Sequence, residues 1–187
     1  MEKDKNKYLL HLGIAEKGKM FALQGNHKEA LRHYKEAIKM TQGQEKGDIF
    51  FQLYMQYTLE SLELMGAYDE VLSYCETLLS FLEGKDNNEI IIKYKAETWQ
   101  RMAIQYIYKE DHESAKEYLM FVKKETGGPK LPIAERVLDW INRRYNITKK
   151  QLTDLQKEHK YFIVTKENIN EELAIELPQA IGATPRI

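Results

Sequence analysis

Apolar and small residues recur along the first two thirds of the chain at one set of spacings, three times over. Bulky, small and bulky positions on one helix are followed by a turn position and then by three packing positions on a second helix. The first copy reads Ile14, Gly18, Phe21, Gly25, Ala30, Tyr34, Ala37. The second reads Met55, Leu59, Leu62, Gly66, Val71, Cys75, Leu78, and the third Trp99, Ala103, Tyr106, Glu110, Ala115, Leu119, Val122. The helical period within each half predicts an amphipathic helix, and the turn position predicts a hairpin. Three hairpins are expected at about 5–40, 48–83 and 88–125. None can bury its apolar face alone, so the copies are expected to stack.

Local chemistry supports these boundaries. Gly25 supplies the backbone freedom to leave the first helix, Asn26 suits an N-cap, and Glu29 three residues later completes a pair like a capping box. Residues 41–47 read as a loop, with Asp48 as the next cap and a turn at Gly66. The stretch GKDNN after Phe81-Leu82-Glu83 is a further loop, and Asp111 is the expected cap after the third turn. Gly127-Gly128-Pro129 reads as a firm stop. Beyond it, Ile133, Val137, Leu138, Trp140 and Ile141 form one helical stripe suited to covering the third hairpin. Thr148 with Gln151 signals another helix through about Lys160. YFIV at 161–164 is a short apolar run, and NINEELAIEL at 168–177 reads as a further helix. Residues 178–187, with Pro178, Gly182 and Pro185, read as an extended tail, a frayed end or a segment that docks through Ile181 and Ile187 into a groove.

Composition narrows the class. Hydrophobic residues are 43% and charged residues 30% of the 187 positions, a globular balance rich in helix formers, with four Pro. The net charge of -1 offers no overall field for nucleic acid or an anionic membrane. The basic corner of Arg143, Arg144, Lys149 and Lys150 has Asp139, Asp154 and Glu158 close by in sequence, so a solvated face is the expectation there. The single Cys75 excludes an intrachain disulfide and fits a reducing compartment, so a cytoplasmic protein is expected. No apolar stretch has the length of a membrane span.

The small and bulky positions resemble tetratricopeptide repeats over about Leu12 to Gly128. In that family small residues, here Gly18, Ala30, Ala103 and Ala115, let paired helices approach closely. The middle copy departs at Leu59, Val71, Cys75 and Leu78, and no copy has the closing proline. The offsets, 41 positions from Ala30 to Val71 and 44 from Val71 to Ala115, exceed the family's period of about 34. The resemblance implies an all-α fold, a right-handed α-solenoid of three hairpins over 1–129 with C-terminal capping helices over 130–177. It also implies a concave groove on the first helices that binds a peptide or helix of a partner protein, as an adaptor does. By position, the groove residues are Lys19, Leu23, Gln56, Glu60, Glu63, Leu64, Glu97, Gln100, Ile104 and Tyr108. Leu23, Leu64, Ile104 and Tyr108 are the expected apolar anchors, and Glu60 and Glu97 are expected to select against acidic ligands. Reversing Glu60 and Glu63 to Lys is expected to weaken a partner without unfolding the protein. The basic clamp for acidic chaperone tails is not expected, because Lys19 stands where that clamp has Asn and Ala15 where it has Lys. The repeats begin near the chain's start, so no separate DNA-binding domain is expected. Self-association as an assembly factor is the alternative.

Catalytic chemistry is not signalled. His11, His27, His33, His112 and His159 are scattered without metal-ligand spacing, Cys75 stands at a packing position, and no phosphate-binding glycine loop occurs. No enzyme activity, cofactor or metal is expected.

Overall fold

The computed structural model describes residues 2–43, 47–125 and 130–178, and these are helical with no strand among them. Eight helices follow in order: α1 (Glu2–Leu23), α2 (His27–Thr41), α3 (Gly47–Met65), α4 (Tyr68–Leu82), α5 (Glu89–Tyr108), α6 (His112–Glu125), α7 (Pro132–Asn142) and α8 (Lys149–Glu158). The Gly127-Gly128-Pro129 stop and all of the expected tail except Pro178 lie outside the described residues.

The turn chemistry explains the hairpins. Gly25 and Gly66 take the left-handed conformation, at φ 77° and 78°, and the amides just beyond them bond back to Phe21 and Leu62 carbonyls. In the third hairpin Glu110 holds the same conformation at φ 63°, a geometry that strains a residue with a Cβ. Asn26 accepts from the Glu29 amide, and Asp111 accepts from the Ser114 amide at 3.0 Å. Thr148 and Gln151 form a full capping box ahead of α8. Asp48 is not the cap of α3: the helix already includes Gly47, and Asp48 sits in its first turn, where a negative charge meets the helix dipole.

The chain divides into two units. The first holds α1, α2, α3 as far as Ser61, and the chain from Ile163; the second is Leu62–Phe162. In the first, Ile14, Ala15, Ala30, Tyr34, Ala37, Tyr54 and Tyr57 form the core, with Val164 and Leu177 packed against it. Gly18 lets α2 close on α1, since a Cβ there would lie 2.5 Å from the Tyr34 ring. In the second, Ala103, Ile104, Ala115 and Leu119 join Ile133, Val137, Leu152 and Leu155 in one core. Here α7 and α8 supply apolar surface that α5 and α6 need to stay buried.

The expected helix over 168–177 is absent. After α8 the chain runs extended, broken by two single 3-10 turns at Lys166–Asn168 and Glu171–Leu173. A ten-residue helix is marginal by itself. Here the Asn170 and Leu177 amides bond to side chains of α1 and α2, and the Ile175 amide to the Gly13 carbonyl.

Candidate functional site: a cleft filled by the chain's own C-terminal segment

The site starts from polar residues that the fold buries among apolar neighbours. Glu60, on α3, is 2% exposed between Leu59 and Ser61. A carboxylate buried to that degree needs donors to replace its hydration. Its two oxygens accept from consecutive backbone amides, Ile163 N–H at 2.6 Å and Val164 N–H at 3.0 Å. Two adjacent amides converging on one carboxylate mark a local turn of the backbone, since successive N–H groups of a strand point to opposite sides, and the charge strengthens both bonds.

The same segment is held at four more places along α1 and α2. Lys19, 3% exposed, pairs with Glu16 at 2.7 Å and donates to the Asn168 carbonyl. Glu16 in turn accepts from the Asn170 amide at 2.8 Å. The Ile175 amide donates to the Gly13 carbonyl at 2.9 Å. The Leu177 amide donates to His33 Nε2 at 3.2 Å, while the Leu177 and Pro178 carbonyls accept from Arg32.

Two residues make this contact specific. A Cβ at Gly13 would stand 2.4 Å from the Leu173 carbonyl oxygen and 2.6 Å from Ile175 Cδ1, so only glycine admits the segment. Because Nε2 of the fully buried His33 accepts from Leu177, its Nδ1 carries the proton and donates to the Glu29 carbonyl at 2.8 Å. Burial holds the His33 imidazole below its ordinary value, against the opposing bond to Glu29, so the ring stays neutral. Burial, reinforced by Glu16 and Glu60, likewise pushes Tyr57 up to about 12.

The second unit holds a related arrangement around Tyr161. Its hydroxyl donates to Glu63 at 2.9 Å and accepts from Arg101, whose guanidinium pairs with Glu63 at 2.9 Å. Burial pushes the Tyr161 phenol far up, with Glu63 adding to the effect, so it stays a neutral donor. For Arg101 burial opposes the charge, but Tyr161 and Glu63 outweigh it and raise the group further. Cys75 is buried nearby, and burial pushes its thiol up to about 12, which disfavours a thiolate.

The residues predicted to line a groove therefore do not form one open surface. In the first unit Lys19 and Glu60 are buried against the C-terminal segment, Gln56 is half-buried and Leu23 is exposed. In the second, Glu63 is buried against Arg101 and Tyr161, while Leu64 is exposed and Glu97 pairs with Lys93 at the surface. Ile104 is not an anchor for a ligand, because at 1% exposure it belongs to the core. Gln100 accepts from the Ala134 amide at 3.1 Å and so caps α7. Tyr108 donates to Gln156 on α8 at 2.6 Å and stacks on Tyr68. Glu60 does not act by repelling acidic ligands; it binds backbone amides. Reversing Glu60 and Glu63 to Lys would place uncompensated cations in buried sites, so that substitution cannot be silent for folding.

Sequence reasoning missed Gly13, Glu16, Arg32 and His33 as contact residues. Gly13 was the available signal, a glycine inside a helix where no turn requires one. Among the described residues no group of His, Cys, Asp and Glu is arranged to hold a metal ion, and no helix is long and apolar enough to cross a membrane. The chain matches no protein-family model, no curated protein and no solved structure.

Proposed function

We propose that this chain is a helical-repeat binding module of the tetratricopeptide kind, in which the first helices of the hairpins hold an extended segment of a partner protein. The right-handed solenoid arrangement and an adaptor role in the cytoplasm belong to this reading. It draws support from the left-handed turn residues Gly25, Gly66 and Glu110 at equivalent places, and from the fully buried small residues Ala30, Ala103 and Ala115. The observation that carries it is the buried Glu60 carboxylate accepting from two consecutive backbone amides, of Ile163 and Val164, in a non-helical segment. A side chain that binds backbone amides reads main chain first and sequence second, which is peptide-binding chemistry. The C-terminal segment then acts as a ligand carried in cis, and a partner engages the cleft by displacing it.

A labelled peptide of residues 161–178 tests the reading. It is titrated by fluorescence anisotropy into the full chain carrying Val164→Asp and Leu177→Asp, which remove the apolar anchors of the tethered segment. Saturable binding below about 100 µM is expected, with much weaker binding to the wild-type chain, whose own segment competes at high effective concentration. A peptide that fails to bind the released variant would overturn the reading. Self-association has only scattered exposed apolar side chains such as Ile49, Phe81 and Ile90 in its favour. Light scattering across a concentration series separates the two readings.

A further inference from the structure

At the α1–α2 end of the cleft the contacts read more than extended backbone. Ile175 and Leu177 turn their amides to the Gly13 carbonyl and to His33 Nε2, the two-residue alternation of a strand. The Leu177 side chain packs on the core of the first unit. Ile175 lies across Gly13, filling the space that a side chain on α1 would otherwise take. Between them, Glu176 points to Lys17, with Nζ to Oε2 at 3.0 Å. The surroundings of this carboxylate are basic on balance: Arg32 holds the next two carbonyls, and Lys35 and Lys39 line the adjoining hollow with Leu177, Pro178 and Glu36, the last paired with Lys39 at 3.1 Å. Glu29 is already paired with Arg32 at 2.8 Å.

We infer that this end of the cleft recognises an aliphatic–acidic–aliphatic tripeptide within an extended partner segment, with Ile175-Glu176-Leu177 as the stand-in carried in cis. The inference rests on the peptide-module reading and adds a sequence preference to it. The first aliphatic side chain is selected by the bare backbone at Gly13, the acidic one by Lys17, and the second aliphatic one by the edge of the first unit's core, next to the His33 bond. Proline is excluded at the first and third positions, because each needs an amide hydrogen. A second copy of the chain would bring the same tripeptide, but the occupant named here is a different protein bearing it.

The test uses a labelled ten-residue peptide of residues 169–178 and the full chain carrying Val164→Asp and Leu177→Asp, its helix content checked by circular dichroism. Should that variant fail to fold, Leu177→Pro, which removes only the amide that His33 accepts and the leucine side chain, takes its place. The peptide is compared with its Glu176→Lys form, each against chains with Lys17 and with Lys17→Glu. About fivefold weaker binding of the Lys peptide is expected, restored when Lys17→Glu supplies the opposite charge. Affinities within twofold across all four pairs, or binding of the 161–178 peptide but not of 169–178, would overturn the tripeptide preference and leave the peptide-module reading standing. Failure of both peptides would overturn both. A wild-type dimer dissociated by the ten-residue peptide would make a second copy the occupant and overturn the partner proposed here.

Discussion

Replacing Gly13 by Ala sets two effects of opposite sign against each other. In a helix interior, alanine is favoured over glycine by about 0.5–1 kcal/mol, so α1 taken alone gains stability. The new methyl, however, would stand 2.4 Å from the Leu173 carbonyl oxygen and 2.6 Å from Ile175 Cδ1. The first contact is with backbone and cannot be relieved by a rotamer change. The segment must lift, which forfeits the Ile175 bond to Gly13 and the Leu177 bond to His33. At about 1 kcal/mol each, their loss raises the open population of residues 173–177 roughly thirtyfold. The assay is limited proteolysis with a glutamate-specific protease, following cleavage after Glu176 by mass spectrometry. When opening is fast relative to cleavage, the rate tracks the open population. Cleavage should rise about thirtyfold while the helical melting temperature holds or increases. Equal cleavage rates in the two proteins would refute the argument that Gly13 exists to admit the segment.

Other perturbations follow from the same geometry. Glu60→Gln replaces one acceptor oxygen by an amide donor opposite a backbone N–H, at a cost of about 2 kcal/mol to docking; Ile163 and Val164 should exchange their amide hydrogens roughly thirtyfold faster, and a change below threefold would count against the clamp. His33 must be neutral to accept from Leu177, and its folded value lies below the ordinary 6.5. Docking is therefore at full strength above pH 6.5 and weakens as the pH falls below it, because the undocked ring takes up a proton first; the loss is complete once the pH passes the lowered value. Glu29 and Glu176 favour the charged ring and Arg32 opposes it. His27, also lowered by burial, adds to the profile of the native chain, and His33→Gln should remove the His33 share from a pH series of Glu176 cleavage rates. Glu110→Gly should relieve strain at φ 63°, worth about 1 kcal/mol, and raise the melting temperature by about 2–4 °C; no rise would mean the turn is unstrained.

The parts of the fold that were legible in the sequence rest on local chemistry. Gly25 followed by Asn26, Gly66, Asp111, and Thr148 with Gln151 act within a few residues of themselves, and each stands at the helix boundary that it predicts. What could not be read was nonlocal. NINEELAIEL has the composition of a helix, and groups of α1 and α2, more than 140 positions earlier, draw its Asn170, Ile175 and Leu177 amides into an extended path. The groove residues were placed on a helix face by counting, which says where a side chain points and nothing about what covers it. Glu60 and Lys19 show the difference, since a charged residue at a half-apolar position reads as solvent-facing until a partner from the far end of the chain is in place. The side of α5 that carries Gln100 and Tyr108 was hidden in the same way by α7 and α8, whose apolar stripes gave no hint of which helix face they would take.

The central claim is that α1, α2 and α3 hold the C-terminal segment by its backbone. Residue-resolved amide hydrogen exchange on the intact wild-type chain at neutral pH tests it most directly. Protection is expected at Ile163, Val164, Asn170, Ile175 and Leu177, with fast exchange at the intervening Lys166, Glu172 and Glu176. Uniformly fast exchange from 163 to 177, or protection in a continuous helical block over 168–177, would contradict it.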